Sequence, residues 1–150
     1  MSDSLSRTLA DEAATIAAGH ELGLYLQQHY NSHALVFLLG DLGAGKTTFT
    51  RGVIQSFGYS GAVKSPTYTL LEPYEFASGS VFHFDLYRVA DPQELEFVGI
   101  DEIIDNPGIK LFEWPQRAAT WLPAPDVHVQ LSVNADNASA RDLHITYAQD

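Results

Sequence analysis

Residues 40–48 read Gly-Asp-Leu-Gly-Ala-Gly-Lys-Thr-Thr. They fit the pattern G-x-x-x-x-G-K-[ST], with Gly40, Gly45, Lys46 and Thr47 in the fixed places. The pattern has a chemical reason. A polyphosphate needs many donors converging on its oxygens, and successive backbone N–H groups supply them when the chain curls around the anion. The glycines permit that curl. Lys46 is placed to reach the β- and γ-phosphates, and the Thr47 hydroxyl to ligate Mg²⁺. A helix beginning near Gly45 would point the positive end of its dipole at the same phosphates.

Such a loop needs carboxylates near the cation, and two stretches offer them. Val81 to Asp85, Val-Phe-His-Phe-Asp, is a β-like run ending in an acid. Ile109 to Glu113, within Ile-Lys-Leu-Phe-Glu-Trp, is a second. In a parallel sheet, ligands gather beyond the carboxyl ends of the strands, so Asp85 and Glu113 are rival or companion partners of Mg²⁺. Glu113 is also placed to orient an attacking water. His83 shares the Asp85 face and reads as a packing residue. Arg88 reads as the partner of an acidic neighbour, with a phosphate contact as the alternative. Ser65-Pro66-Thr67 follows a flexible loop. Either Thr67 or Ser65 can serve as the hydroxyl that completes the Mg²⁺ shell and senses the γ-phosphate, and a plain turn is the alternative.

The elements that must hold these residues follow from pattern. Ala34 to Leu39 is an apolar run suited to a buried strand. Thr47 to Phe57 has Phe49, Val53, Ile54 and Phe57 at helical spacing. Strand, glycine-rich loop and helix form the setting the motif requires. Upstream, Asp11 to Tyr30 reads as a helix with Asp11 as N-cap and with Ala13, Ile16, Ala17, His20 and Leu24 on one face. Tyr68 to Phe76 and Val81 to Tyr87 form a hairpin across Ala77 to Ser80, with Pro73 placing the first strand at an edge or bulge. Asp91-Pro92 opens a short helix closed by Gly99. The acidic stretch around it, Glu94 to Asp105, reads as a solvated face or a docking surface for a basic partner. Pro115 to Thr120 gives one or two helical turns. Val127 to Val133 and Leu143 to Tyr147 alternate like antiparallel strands with no visible chemistry.

The whole chain sets further bounds. Its 150 residues suit one domain with a substantial core. Eight Lys and Arg against 19 Asp and Glu give a net charge of −11. That argues against unaided binding to DNA, RNA or an anionic membrane, which need cationic surface. With no cysteine, disulfides and thiolate metal sites are excluded. No signal peptide or membrane-spanning run is visible, so a cytoplasmic location is expected. No N-K-x-D follows the loop, so adenine is favoured over guanine. Arginines are few and none stands out as a finger, which predicts weak turnover alone and stimulation by partners.

Five motifs in order, at Gly40 to Thr48, Val63 to Leu70, His83 to Arg88, Asp91 to Gly99 and Phe112 to Trp114, make the sequence resemble the TsaE (YjeE) family. The resemblance implies an α/β fold: a single P-loop NTPase domain with a mixed central β-sheet flanked by helices. It implies Mg²⁺-ATP binding with slow hydrolysis. It also implies action with TsaD and TsaB in placing the threonylcarbamoyl group on the adenosine beside the anticodon of tRNAs reading codons that begin with A. Carried onto this sequence, it has Gly43, Ala44, Gly45, Lys46, Thr47 and Thr48 hold the phosphates. Thr47 and Glu113 serve Mg²⁺, Thr67 is the switch hydroxyl, and Asp85 is a catalytic or Mg²⁺-linked carboxylate. Trp114 belongs to a second mobile segment, and Asp11-Glu12 lies near the adenine. Two alternatives stand beside the ATPase: a small-molecule kinase, and a switch in which binding without hydrolysis remodels a partner.

Overall fold

The computed structural model describes residues 3–66 and 68–148. In chain order its elements are β1 (Asp3–Leu9), α1 (Glu12–His29), β2 (Ala34–Leu39), α2 (Lys46–Gln55), β3 (Leu71–Phe76), β4 (Gly79–Asp85), α3 (Ile100–Asp105), β5 (Ile109–Glu113), β6 (Val127–Val133) and β7 (Arg141–Tyr147). Short 3₁₀ segments cover Pro92–Val98 and Pro115–Trp121. Among the described residues the strands make one seven-stranded sheet in the order β1-β7-β6-β2-β5-β4-β3.

The apolar run ahead of the glycine-rich loop therefore becomes the central strand. β2 is parallel to β5 and β6, and β5 is parallel to β4. The β3, β7 and β1 strands are antiparallel additions at the two sides. Four parallel strands thus end at one edge of the sheet. Ladder register places Asp85 opposite Glu113 on neighbouring strands. The α/β class and mixed sheet are as expected from the sequence.

The two faces of the sheet carry separate cores. On one, Val36, Leu38, Val81, Leu111 and Val129 pack with Leu22, Leu26, Phe49 and Val53 of α1 and α2. On the other, Leu35, Phe84 and Phe112 pack with Leu95, Ile100 and Ala118. Phe84 and Phe112 stack with ring centroids 4.3 Å apart. Each precedes a carboxylate, so strand alternation sends Asp85 and Glu113 to the face that carries α2. Burying each ring stabilises this arrangement by roughly 1.5–3 kcal/mol.

The packing of α1 corrects one expectation. Ala13 and Ala17 are exposed, Leu24 is 41% exposed, and Ile16 and His20 are only partly covered. The buried side consists of Thr15, Ala18, Gly19, Leu22, Gly23 and Leu26. Glycines explain the error: an apolar periodicity gives them no weight, yet here they are the contact surface. A Cβ on Gly19 would lie 2.0 Å from the Phe49 carbonyl oxygen, and one on Gly52 would lie 2.0 Å from the Ile16 carbonyl oxygen. The two helices meet backbone to backbone. As expected, Asp11 caps α1, accepting from Ala14 N at 2.9 Å.

Candidate active site

The loop between β2 and α2 turns through left-handed conformations at Gly43 (φ 80°) and Gly45 (φ 103°). Gly45 is the N-cap of α2, and it offers no side-chain cap. The first N–H groups of that helix therefore remain directed out of its end. Any residue with a Cβ would be strained at either position. The loop borders a cavity of about 390 Å³ lined by Gly43, Gly45, Lys46, Thr47, Thr48, Asp85 and Glu113, with Leu42, Ser65, Tyr87, Trp114 and Arg141 completing the wall. Its size lies within the range of small-molecule sites.

Lys46 is 5% exposed. Its Nζ donates to the Gly40 carbonyl at 2.6 Å and sits 4.0 Å from the centroid of the Trp114 ring. Burial pulls its pKa below the ordinary lysine value, and Glu113, Asp85 and Asp41 oppose that shift. The ammonium is held by groups that a phosphate can replace. Trp114 itself has a left-handed backbone, φ 57°, and its ring packs on Tyr87 at 4.9 Å.

The two carboxylates divide their tasks. Thr47 Oγ1 donates to Glu113 Oε2 at 3.1 Å, and His83 Nε2 lies 2.7 Å from the same oxygen. Asp85 Oδ2 instead accepts from Ser65 Oγ at 2.9 Å, and Oδ1 accepts from Tyr87 N at 3.0 Å. So Glu113 holds the first turn of α2, while Asp85 ties the Ser65 segment to the end of β4. Both are nearly buried, at 3% and 4% exposure. Thr67 lies outside the described residues. Ala44, expected at the phosphates, is instead buried in the core beneath the loop and does not line the cavity. Arg88 pairs with no acid among the described residues; its guanidinium stacks 4.3 Å over the Tyr68 ring and donates to the Tyr68 hydroxyl at 3.2 Å.

A second cavity, about 370 Å³, adjoins the first through Gly45, Thr48 and Arg141, and is lined also by Asp11, Glu12, Thr15 and Ser139. Glu12 is there, bridged to Arg51 at 3.3 Å. Arg141 was missed by sequence reasoning. It opens β7, its Nη1 donates to the carbonyls of Ala138 and Ala140, and Nη2 reaches the Gly43 carbonyl at 3.3 Å. Its Nε is buried with no hydrogen-bond partner among the described residues. The signal was topological: a strand parallel to β2 must end where the glycine-rich loop begins, so the β6–β7 turn arrives there too.

The family model described as "Threonylcarbamoyl adenosine biosynthesis protein TsaE" matches residues 9–143. The chain belongs to the TsaE family. A TsaE relative from Haemophilus influenzae, a tRNA threonylcarbamoyladenosine biosynthesis protein, is 44% identical over 144 residues, 95% of this chain and 89% of that one. A second TsaE, from Rickettsia felis, is 36% identical over 118 residues, 78% of this chain and 68% of that one. The crystal structure of Bacillus subtilis YdiB superposes with a TM-score of 0.77, covering 99% of this chain and 88% of that one at 24% identity, which speaks to the fold. Every motif behind the TsaE resemblance lies within the matched residues.

The donor set suits a hard divalent cation. Thr47 and Glu113 offer oxygen only, as Mg²⁺ prefers. Among the described residues no group of three His, Asp or Glu side chains could hold a metal. A Mg²⁺ ion here would draw its other ligands from phosphate oxygens and water, its usual arrangement in phosphate-transfer sites. No helix among the described residues is long and apolar enough to cross a membrane.

Proposed function

We propose that this chain is a Mg²⁺-dependent ATPase serving tRNA threonylcarbamoyladenosine biosynthesis in the cytoplasm, acting with TsaD and TsaB and touching tRNA only through them. The observation that carries the reading is the 3.1 Å bond between Thr47 and Glu113 in the cavity that also holds Lys46. A loop hydroxyl and a strand-end carboxylate meet where the cation of a bound nucleotide belongs. Adenine follows from the missing N-K-x-D, and the indirect route to tRNA from the net charge of −11.

In this reading Gly43 to Thr48 wrap the phosphates through backbone N–H groups. Lys46 exchanges the Gly40 carbonyl and the Trp114 ring for β- and γ-phosphate oxygens. Arg141 adds a second cation on the Gly43 side. Thr47 and Glu113 would hold Mg²⁺, which when bound offsets charge on the transferred phosphoryl group. Catalysis is then positioning and electrostatics, with no covalent step for the protein to perform.

Turnover of Mg²⁺-ATP by the full chain, alone and with TsaD–TsaB, tests the proposal. Slow hydrolysis that accelerates with the partners is expected, and Lys46→Ala is expected to abolish it. Equal rates remove the partner-driven part; no turnover in either mixture removes the ATPase. The bond from Ser65 to Asp85 favours one other reading, a switch worked by binding alone, because it couples a segment outside the phosphate loop to the same cavity. That reading expects a non-hydrolysable analogue to support repeated rounds of tRNA modification as well as ATP does.

A further inference from the structure

Glu113 meets Thr47 only if its side chain is held in one rotamer, and the structure shows what holds it. His83 is on β4, one strand away, and is fully buried. Its Nε2 lies 2.7 Å from Glu113 Oε2. With Glu113 as the carboxylate a cation site requires, two lone pairs cannot face each other at that distance, so the proton of this contact is assigned to Nε2 and His83 is the donor. No hydrogen-bond partner for Nδ1 exists among the described residues, although that atom is buried. An imidazole buried for packing alone would carry the cost of two desolvated nitrogens, which an apolar side chain avoids. Here one nitrogen makes one short bond, and it is to the carboxylate of the candidate cation site.

Both donors, Thr47 Oγ1 and His83 Nε2, use the same oxygen of Glu113. Among the described residues no hydrogen bond is made to Oε1. His83 therefore pins the carboxylate at Oε2 and leaves the other oxygen available. The side chain is too deeply buried to touch a nucleotide or water, so any effect must pass through Glu113.

We propose that His83 is a positioning residue that orients Glu113 for the cation, setting the affinity for Mg²⁺ rather than packing the core. This rests on the Mg²⁺-nucleotide reading above. Ligand-orienting hydrogen bonds of this type are worth about 10- to 100-fold in metal affinity when removed.

The test is binding of a fluorescent, non-hydrolysable ATP analogue to the full chain, titrated with Mg²⁺. It compares wild type, His83→Ala, His83→Phe and His83→Gln. The Mg²⁺ concentration at half-maximal binding is expected to rise about tenfold or more in His83→Ala and His83→Phe. His83→Gln, which carries an N–H donor at similar reach, is expected to recover most of that loss. Thermal melts identify the folded variants, and the near-isosteric Phe variant keeps the test open if the Ala cavity prevents folding. A folded His83→Phe with the wild-type Mg²⁺ midpoint overturns the proposal while leaving the nucleotide reading intact. A wild-type titration with no Mg²⁺ dependence overturns both, and is seen before any variant is made.

Discussion

Thr47 Oγ1 donates to Glu113 Oε2 at 3.1 Å, across 66 residues of sequence. The bond joins the first turn of α2 to the last residue of β5, so the glycine-rich loop is tied to the sheet edge. Glu113→Ala removes the acceptor and leaves Thr47 and His83 facing each other. Mg²⁺-dependent turnover is expected to fall by about 10²-fold or more, the scale of losing one preorganised electrostatic group. Steady-state hydrolysis across a Mg²⁺ range measures it, and retained wild-type turnover would remove Glu113 from the site.

Arg141 spans the two cavities and donates to the Gly43 carbonyl. Arg141→Ala takes a cation from the wall of both cavities and frees the loop from the β6–β7 turn. Nucleotide affinity is expected to drop about tenfold, equivalent to about 1.4 kcal/mol. Arg141→Lys is expected not to restore it, since an ammonium cannot reproduce the forked contacts to three carbonyls. Calorimetric titration with nucleotide decides the matter; an Arg141→Ala chain that binds as wild type would confine Arg141 to the turn.

Gly52 faces α1 with no room for a methyl group. Gly52→Ala places a Cβ 2.0 Å from the Ile16 carbonyl oxygen, backbone that cannot rotate away. The helices must separate, which is expected to cost about 1–3 kcal/mol in urea denaturation despite the better helix propensity of alanine. Because α2 begins at Lys46, nucleotide binding should weaken in the same variant. Unchanged stability would show that the helix pair has slack.

Tyr147 provides an alkaline signature. Its pKa is pushed up to about 12, chiefly by burial, and further by the neighbouring Tyr25 and Tyr30, with Arg7 opposing. The folded chain therefore keeps a phenolic proton that the unfolded chain releases near pH 10. This contribution to stability is complete below pH 10 and is lost as pH rises through about 12. Discounted for partial exposure, the loss amounts to about 2 kcal/mol. Melting curves between pH 9 and 12 should decline less steeply in Tyr147→Phe than in wild type. Parallel curves would show that this phenol does not govern the alkaline limb.

What the sequence disclosed was mostly what local chemistry imposes. The loop, its strand and its helix were legible because a glycine-rich motif with fixed spacing sits between an apolar run and a helical periodicity. Asp85 and Glu113 were legible as strand-end acids because parallel sheets deliver their functional groups to one edge. Their division of labour was not, since it depends on which loop packs over which carboxylate. Edge strand β1 escaped notice: Asp-Ser-Leu-Ser-Arg-Thr-Leu has few large apolar residues and pairs with β7 at the far end of the chain. Helix α3 was hidden in an acidic stretch, and the contact face of α1 was hidden in glycines. Arg141 had no local pattern at all; only the order of strands brings it to the loop.

Asp85 and Glu113 occupy the same rung of adjacent strands, yet one holds Ser65 and the other Thr47. A rung of a sheet is about 4.8 Å wide. Any rearrangement that a nucleotide imposes at Thr47 is thus next door to the anchor of a separate surface segment. Coupling between the two segments would require no long mechanical relay: their anchors are neighbours in the backbone ladder, and the intervening material is a single row of hydrogen bonds.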